Sequence, residues 1–312
     1  MKCFDVVGFG ALNMDRLFKV DRIASAEEES FIKARSETSG GSAANTIVGL
    51  ARLGCKVGFI GKVGNDPDGK MLIEDLRKEN VDTNGITISD MDRSGSVMGF
   101  VDKHGARALY IDSGSNDTIE SADIRFDYVS HTKYLHLTSF VGEKSFSTQR
   151  NLLSNLPGNA KVSFDPGCLY ASKGLDYLEP IVRRAYVLMP NIFELKLMTG
   201  ESDYAKGANY LLRKGAKIVA VKLGEKGCYV TNGSENHLID AVKVKVVDTT
   251  GAGDAFCAGF LYGLLRGNSL LQSGKIGNLI ASRCIMEMGA RTSLPHLKDL
   301  DIRQMLYHAF KD

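Results

Sequence analysis

An α/β fold with a mostly parallel central sheet, covered by helices on both faces, is what the order of segments along this 312-residue chain predicts. Short apolar runs of strand length alternate with longer stretches of helical period. Two further segments mix polar and apolar residues in extended patterns. They break the alternation and predict a small β-sheet inserted into the large domain.

The strand-length runs are FDVVGF (4–9), KVGFIGKV (56–63), KYLHL (133–137), AKVSFD (160–165), AYVLM (185–189) and AKIVAVKLG (216–224). Continuous apolar runs suit strands buried on both faces, as parallel strands under helices are. Between them, AANTIVGLARLG (43–54) places Ala44, Ile47, Val48 and Ala51 on one helical face, and DGKMLIEDLRKEN (68–80) behaves likewise. The extended segments are 14–38 and 95–113, and VMGFVDKHGARALYI in the second reads as a hairpin turning at Lys103, His104 and Gly105. No repeat or linker divides the chain. One domain over 1–312 is expected, with the inserted segments forming a lid.

A net charge of +2 and the absence of a basic run argue against nucleic acid or an anionic membrane as partner. No apolar run is long enough to span a bilayer. The opening MKCFDVVGFG turns polar at Asn13 and Asp15, too soon for a secretion signal. The 6 cysteines stand singly, with no CxxC pair, which fits a reduced cytoplasm better than a disulfide framework or a zinc site.

The chemistry concentrates in VVDTTGAGDAFCAGF (246–260). A helix starting near Asp254 offers the amides of Gly251, Ala252 and Gly253, with the positive end of the helix dipole behind them. Bare glycine backbone lets an anion approach closely, and phosphate is the obvious anion. A carboxylate there would repel a passively bound phosphate, so Asp254 needs a reason. Accepting the proton of an attacking hydroxyl is one; capping the helix is the other.

Other pieces point the same way. Asn13 and Asp15 close GALNMD at the carboxyl end of the first strand, where ligands gather in such folds. SGGSAANTIVGLARLG has a Gly-Gly turn with Asn45 in the first helical turn. NIFE places Asn191 and Glu194 three apart at a helix start, a pair able to hold a hydrated Mg²⁺. Two motifs fail. GFGALN lacks the last glycine of a dinucleotide fingerprint, and GNDPDGKM has Met71 where a phosphate loop needs Ser or Thr, leaving a polar turn that caps the helix from Asp68.

In order along nearly the whole chain, GxxNxD, GGSAAN, the G-x-D-x-x-G of Gly64, Asp66 and Gly69, NxxE, KLGEKG (222–227) and DTTGAGDAFCAGF resemble the ribokinase, or PfkB, family of carbohydrate kinases. The resemblance implies a ribokinase-like α/β domain with a β-sheet lid and ATP-dependent phosphorylation of a sugar-like hydroxyl. It implies Asp254 as base, with Gly251, Ala252 and Gly253 as anion hole. Asn13, Asp15, Gly41 and Asn45 would hold the acceptor. Asn191 and Glu194 would organise Mg²⁺ and phosphate, and Lys222, Gly224, Gly227, Asn278 and Ser282 would line the nucleotide site. Asp248 and Thr250, with carbonyls around Gly289 and Ser293, resemble the K⁺ loop of cation-activated relatives, although Asp248 can equally brace the loop.

Ser42 stands where ribose-specific members typically carry Lys, and Thr138 or Ser139 where they carry Glu. The acceptor is therefore left open among a free sugar, a nucleoside stacked on Phe100, Phe140 or Tyr170, and a phosphorylated sugar met by Arg16, Lys33, Arg35 or Arg107. Those aromatics can equally be packing, and those charges solvated lid surface. A catalytically silent binding module is the reading from a different class. Unpaired lid-strand edges predict a homodimer.

Overall fold

The computed structural model describes residues 3–104 and 106–300, the Arg107 side chain excepted. Gly105 of the expected hairpin turn, the Arg107 side chain and residues 1–2 and 301–312 of the expected domain lie outside the described residues.

Along the chain, β1 (Phe4–Phe9), β2 (Asn13–Val20) and β3 (Ile32–Gly40) lead into α1 (Ser42–Arg52), β4 (Val57–Gly64), α2 (Pro67–Lys78) and β5 (Asp82–Ser89). Next come β6 (Gly95–Val101), β7 (Arg107–Asp112), the short α3 (Phe126–Val129), β8 (Thr132–Leu137), α4 (Glu143–Asn155) and β9 (Lys161–Phe164). Then follow α5 (Gly167–Ala171), α6 (Leu175–Val182), β10 (Ala185–Leu188), α7 (Ile192–Thr199), α8 (Tyr204–Arg213) and β11 (Ile218–Lys222). The chain closes with β12 (Cys228–Thr231), β13 (Asn236–Ile239), α9 (Ala252–Leu265) and α10 (Leu270–Cys284).

Among the described residues the large sheet has nine strands in the order β13-β12-β11-β10-β9-β8-β1-β4-β5. Seven of them, β5 through β11 in that order, run parallel, and β12 and β13 add an antiparallel edge. The mostly parallel sheet is therefore present, and the apolar runs are its inner strands. Val6 of β1 joins one apolar layer with α1, α9 and α10, while Val7 and Phe9 join the other with α4, α6 and α8. Burial on both faces is why these strands read as unbroken apolar runs. The edge strands β5 and β13, and β12 beside the latter, gave no such signal: β5 alternates, and β12–β13 is a short hairpin turning at Asn232–Glu235.

The extended segments pair with each other in a second, smaller sheet of order β3-β2-β6-β7. Its hairpin β6–β7 turns where the Asp102 carboxylate accepts from the His104 and Ala106 amides. The helix after Gly64 starts one residue before the expected Asp68. Asp66 is the cap, accepting from the Gly69 amide at 2.7 Å, and Asp68 instead takes both hydrogen bonds of Arg16 from the small sheet.

Candidate active site

The carboxyl ends of β1, β9 and β11 and the start of α9 converge on one polar cluster. The α9 helix begins at Ala252 rather than at Asp254, with Gly251 in the left-handed region at φ 78°. A side chain at Gly251 would sit 2.6 Å from the Ala290 side chain, so that glycine is required both by conformation and by space. The expected trio of amides is reduced, because the Ala252 amide donates to the Thr249 carbonyl at 3.2 Å within its own turn.

Asp254 is the third residue of α9 and makes no cap hydrogen bond, which removes the capping alternative. Its carboxylate instead reaches across the cleft to α1, accepting from Ser42 Oγ at 2.6 Å and Asn45 Nδ2 at 2.8 Å. Burial pushes its pKa up to about 6, with the Ser42 and Asn45 hydrogen bonds pulling the other way. Ser42, a departure from the ribose-specific pattern, is thus a partner of the carboxylate. Gly41 lets the chain enter α1 at φ 110°, where a side chain would meet the Ala11 carbonyl oxygen at 2.2 Å.

Asp15 lies on the small sheet opposite this carboxylate. Burial raises its pKa to about 6, Arg291 opposes that rise, and the Asp254 charge adds to it. Arg291 went unnoticed in the sequence. Its Nε donates to Asn45 Oδ1 at 2.7 Å, so Asn45 bridges Arg291 and Asp254. Asn13 is likewise engaged, its Oδ1 accepting from Asn116 Nδ2 at 2.9 Å.

On the other side of α9, Asn191 and Glu194 form a reciprocal capping box. The Asn191 side chain accepts from the Glu194 amide at 2.8 Å, and one Glu194 oxygen accepts from the Asn191 amide at 2.8 Å. Burial, then the neighbouring Asp165 charge, raises the Glu194 pKa. The second Glu194 oxygen is not used by the cap, so one carboxylate oxygen remains for a cation that keeps its waters. Among the described residues no group of three or more His, Cys, Asp or Glu forms a metal cage.

Lys222 does not project outward from the sheet end. Its Nζ is buried, donates to Asp165 Oδ2 at 2.6 Å, and would lie 3.4 Å from a side chain placed on Gly253. Gly227 turns tightly beneath it, where a side chain would strike the Ile239 carbonyl at 2.0 Å, whereas nothing lies within 4 Å of one placed at Gly224. Asn278 Nδ2 donates to the Ile239 and Asp240 carbonyls, tying α10 to the end of β13. The Ser282 hydroxyl is spent on the Leu279 carbonyl of its own helix. Asp248 accepts from the Thr250 amide and hydroxyl on one oxygen and from the Gly289 amide on the other, so it does brace the loop.

The stacking option fails for two aromatics. Phe140 is buried edge-on against Phe9, and Tyr170 is buried with its hydroxyl on Gln149 Oε1. Phe100 stacks on Phe18 within the small sheet. Of the basic candidates, Arg16 is bound to Asp68 and Lys33 to Asp21. Arg35 pairs in register with Phe18, on the face away from Asp15.

A sequence profile described as pfkB family carbohydrate kinase matches residues 4–297. A sugar kinase of Archaeoglobus fulgidus, called uncharacterized, is 42% identical over 255 residues, 81% of this chain and 100% of that protein. The 2-dehydro-3-deoxygluconokinase of Bacillus subtilis is 31% identical over 268 residues, 82% of this chain and 83% of that one. Among solved structures, ribokinase of Thermotoga maritima matches with a TM-score of 0.85 at 28% identity, covering 95% of this chain and 97% of that one. With an α/β fold of this kind and a carboxylate set at the start of a glycine-led helix, the chain belongs to the pfkB family of carbohydrate kinases, as an ATP-dependent phosphotransferase with a hydroxyl acceptor.

Proposed function

We propose that Asp254 is the general base of the transfer and that the acceptor is a free sugar, held between α1 and the small sheet. One observation carries this: a carboxylate at the start of α9, held by Ser42 and Asn45, with a raised pKa of about 6. It is ionised at neutral pH yet close enough to its pKa to take a proton. A free sugar is favoured over a nucleoside because Phe140 and Tyr170 are core residues. It is favoured over a phosphorylated sugar because Arg16 and Lys33 are already paired. The sugar-acid substrate in the name of the Bacillus subtilis relative makes free sugar acids part of that class.

In this reading Asp15, Asn13 and the backbone at Gly41 orient the acceptor, and the Gly251 and Gly253 amides face the transferred group. Gly224, Gly227, Asn278 and Ser282 shape the nucleotide side through backbone and packing, since the last two side chains are committed to carbonyls. Glu194, through its uncommitted oxygen, and the Asn191 turn would hold Mg²⁺, which supplies charge neutralisation on the phosphates. The Ser293 hydroxyl is buried without a partner, an orphan that suits K⁺ in the loop braced by Asp248 and Thr250.

The small sheet acts as the lid. Phe18, Phe100 and Tyr110 form one aromatic row on it, and Tyr110 is 59% exposed. A second copy covering that row gives a homodimer. Among the described residues no helix is long and apolar enough to cross a membrane. The cysteines among them are unpaired, which supports a cytoplasmic setting.

The test is acceptor-stimulated ADP release from MgATP across free sugars, sugar acids, sugar phosphates and nucleosides, with Asp254→Asn run beside the wild type. A free sugar or sugar acid is expected to stimulate release, and the variant to lose it by about 10²–10⁴-fold. Equal turnover in the variant would remove Asp254 from the chemistry.

A further inference from the structure

The ammonium of Lys222 occupies a place that simple stability does not explain. It comes from the last residue of β11 and runs inward, so that its Cδ, Cε and Nζ lie 3.4 to 3.9 Å from a side-chain position on Gly253. Gly253 is the second residue of α9, where the helix presents its positive end. Placing a cation against a helix N-terminus is unfavourable unless an anion sits with them. Asp165 supplies part of that anion, through one oxygen 2.6 Å from Nζ. Yet the Asp165 carboxylate is itself nine-tenths buried, and its Oδ1 has no hydrogen-bond partner. Among the described residues Asp165 is the hydrogen-bond partner given to Nζ, which leaves two of its three N–H donors for something else.

The neighbours narrow what that something is. Glu194 and Asp254 both feel the Lys222 charge, so the ammonium lies within electrostatic reach of each. Cys257, one turn further along α9, points its sulfur at Asp165 Oδ2 at 3.3 Å, closing the far side of the pair. Burial opposes the charge on Lys222, but Asp165, Cys257 and Glu194 raise its pKa further, so it remains an ammonium. The open side is the one that faces Gly253 and the start of α9.

We propose that Lys222 is a catalytic residue of the transfer, donating to the oxygens of the phosphoryl group as it passes Gly253, and that Asp165 is the residue that positions it. This rests on the reading of Asp254 as base and α9 as anion hole. The acceptor oxygen forms its bond to the γ-phosphorus while the bond from that phosphorus to the β–γ bridging oxygen breaks. The electron pair of the broken bond leaves with ADP, and the hydroxyl proton goes to Asp254. Lys222 keeps all its protons. Its contribution is a fixed positive charge in a site from which water is excluded, where such charge acts most strongly on developing negative charge.

The alternative is a structural ion pair, and a double variant separates the two. Lys222→Met alone leaves Asp165 buried and unpaired and is expected to lower Tm, which would confuse any rate effect. Lys222→Met with Asp165→Asn removes both charges, and Tm is expected to return close to that of the wild type. In that double variant, kcat for ADP release with the best acceptor should stay about 10²–10³-fold down, with acceptor KM within about threefold. A second readout is calorimetric binding of ADP with aluminium fluoride, which mimics the group in transfer. The double variant should lose at least about tenfold of that affinity while keeping its affinity for ADP alone. Recovery of kcat and of the fluoride complex together with Tm would make the pair structural and overturn the proposal. The Asp254→Asn control keeps the two readings apart. A wild type that turns over and an Asp254→Asn variant that does not, beside a fully active double variant, defeat only the role of Lys222. A wild type that no acceptor stimulates defeats both.

Discussion

Strand β1 of the large sheet is buried at every position but one, whereas β3 of the small sheet is exposed from Ile32 through Thr38. Both are β-strands of one chain, and the difference is what covers them. Helices pack on the two faces of the large sheet, so its strand ends hold Asp165 and Lys222 in fixed places. The small sheet touches the large body through Asp15, the Arg16–Asp68 pair and Met14, while Leu109, Tyr110 and Ile111 remain half exposed. In the reading proposed above, the large sheet is the rigid scaffold, the small sheet its cover, and the chemistry sits where they meet.

The sharpest way to break that comparison is to remove charge from the scaffold side. Asp254→Asn should cost about 10²–10⁴-fold in kcat, measured by coupled ADP release. The same variant should be no less stable than the wild type, because it deletes a buried charge while the amide can still bond Ser42 and Asn45.

The pH dependence sharpens the point. Asp254 and Asp15 both hold their protons up to about 6 in the fold, against 3.8 as their ordinary value. Between about pH 4 and pH 6 the folded chain therefore binds more protons than the unfolded chain, and their contribution to stability falls as pH rises. His136, held near 4 by burial, contributes in the opposite direction over part of that window. The Tm gain of Asp254→Asn over wild type should thus widen from pH 4 to pH 7, while wild-type kcat rises through pH about 6. A gain that stays flat would mean the carboxylate is not desolvated.

Scaffold turns should be intolerant. Gly41→Ala forces a side chain into the Ala11 carbonyl at φ 110°, and a loss of about 1–3 kcal/mol is expected from urea denaturation. The cover should tolerate more. Phe100→Ser on the small sheet should leave the unfolding midpoint nearly unchanged, yet convert the proposed homodimer to monomer by light scattering. Should it unfold the chain instead, the two sheets form one cooperative unit. Smallest of all, Arg16→Ala breaks a partly exposed pair with Asp68 and should cost about 1 kcal/mol or less. Its effect belongs in acceptor KM, if the pair seats the cover.

Much of the fold was legible because it depends on local patterns. Apolar runs marked the inner strands, and the periods at 43–54 and 68–80 marked α1 and α2 to within two residues. Edge strands β5 and β13 were not marked, since one-sided burial leaves mixed patterns, and β12 was missed because its buried run is only four residues long. In the candidate site, Asp254 and its glycine turn stood out because their spacing alone makes a helix start with a carboxylate. The Asn191–Glu194 pair was legible as a pair but not as a capping box, because orientation decides between a cap and a cation ligand.

What the sequence by itself determined is the succession of the inner strands, the glycine-led start of α9 and the position of its carboxylate, all properties of neighbouring residues. What only the tertiary structure decided are contacts between distant ones. Asp254 meets Ser42 across 212 positions, Arg291 meets Asn45 across 246, and Lys222 meets Asp165 across 57. No period or motif encodes such pairs. They exist because the parallel sheet brings its strand ends to one edge, where burial forces each charge to find a partner.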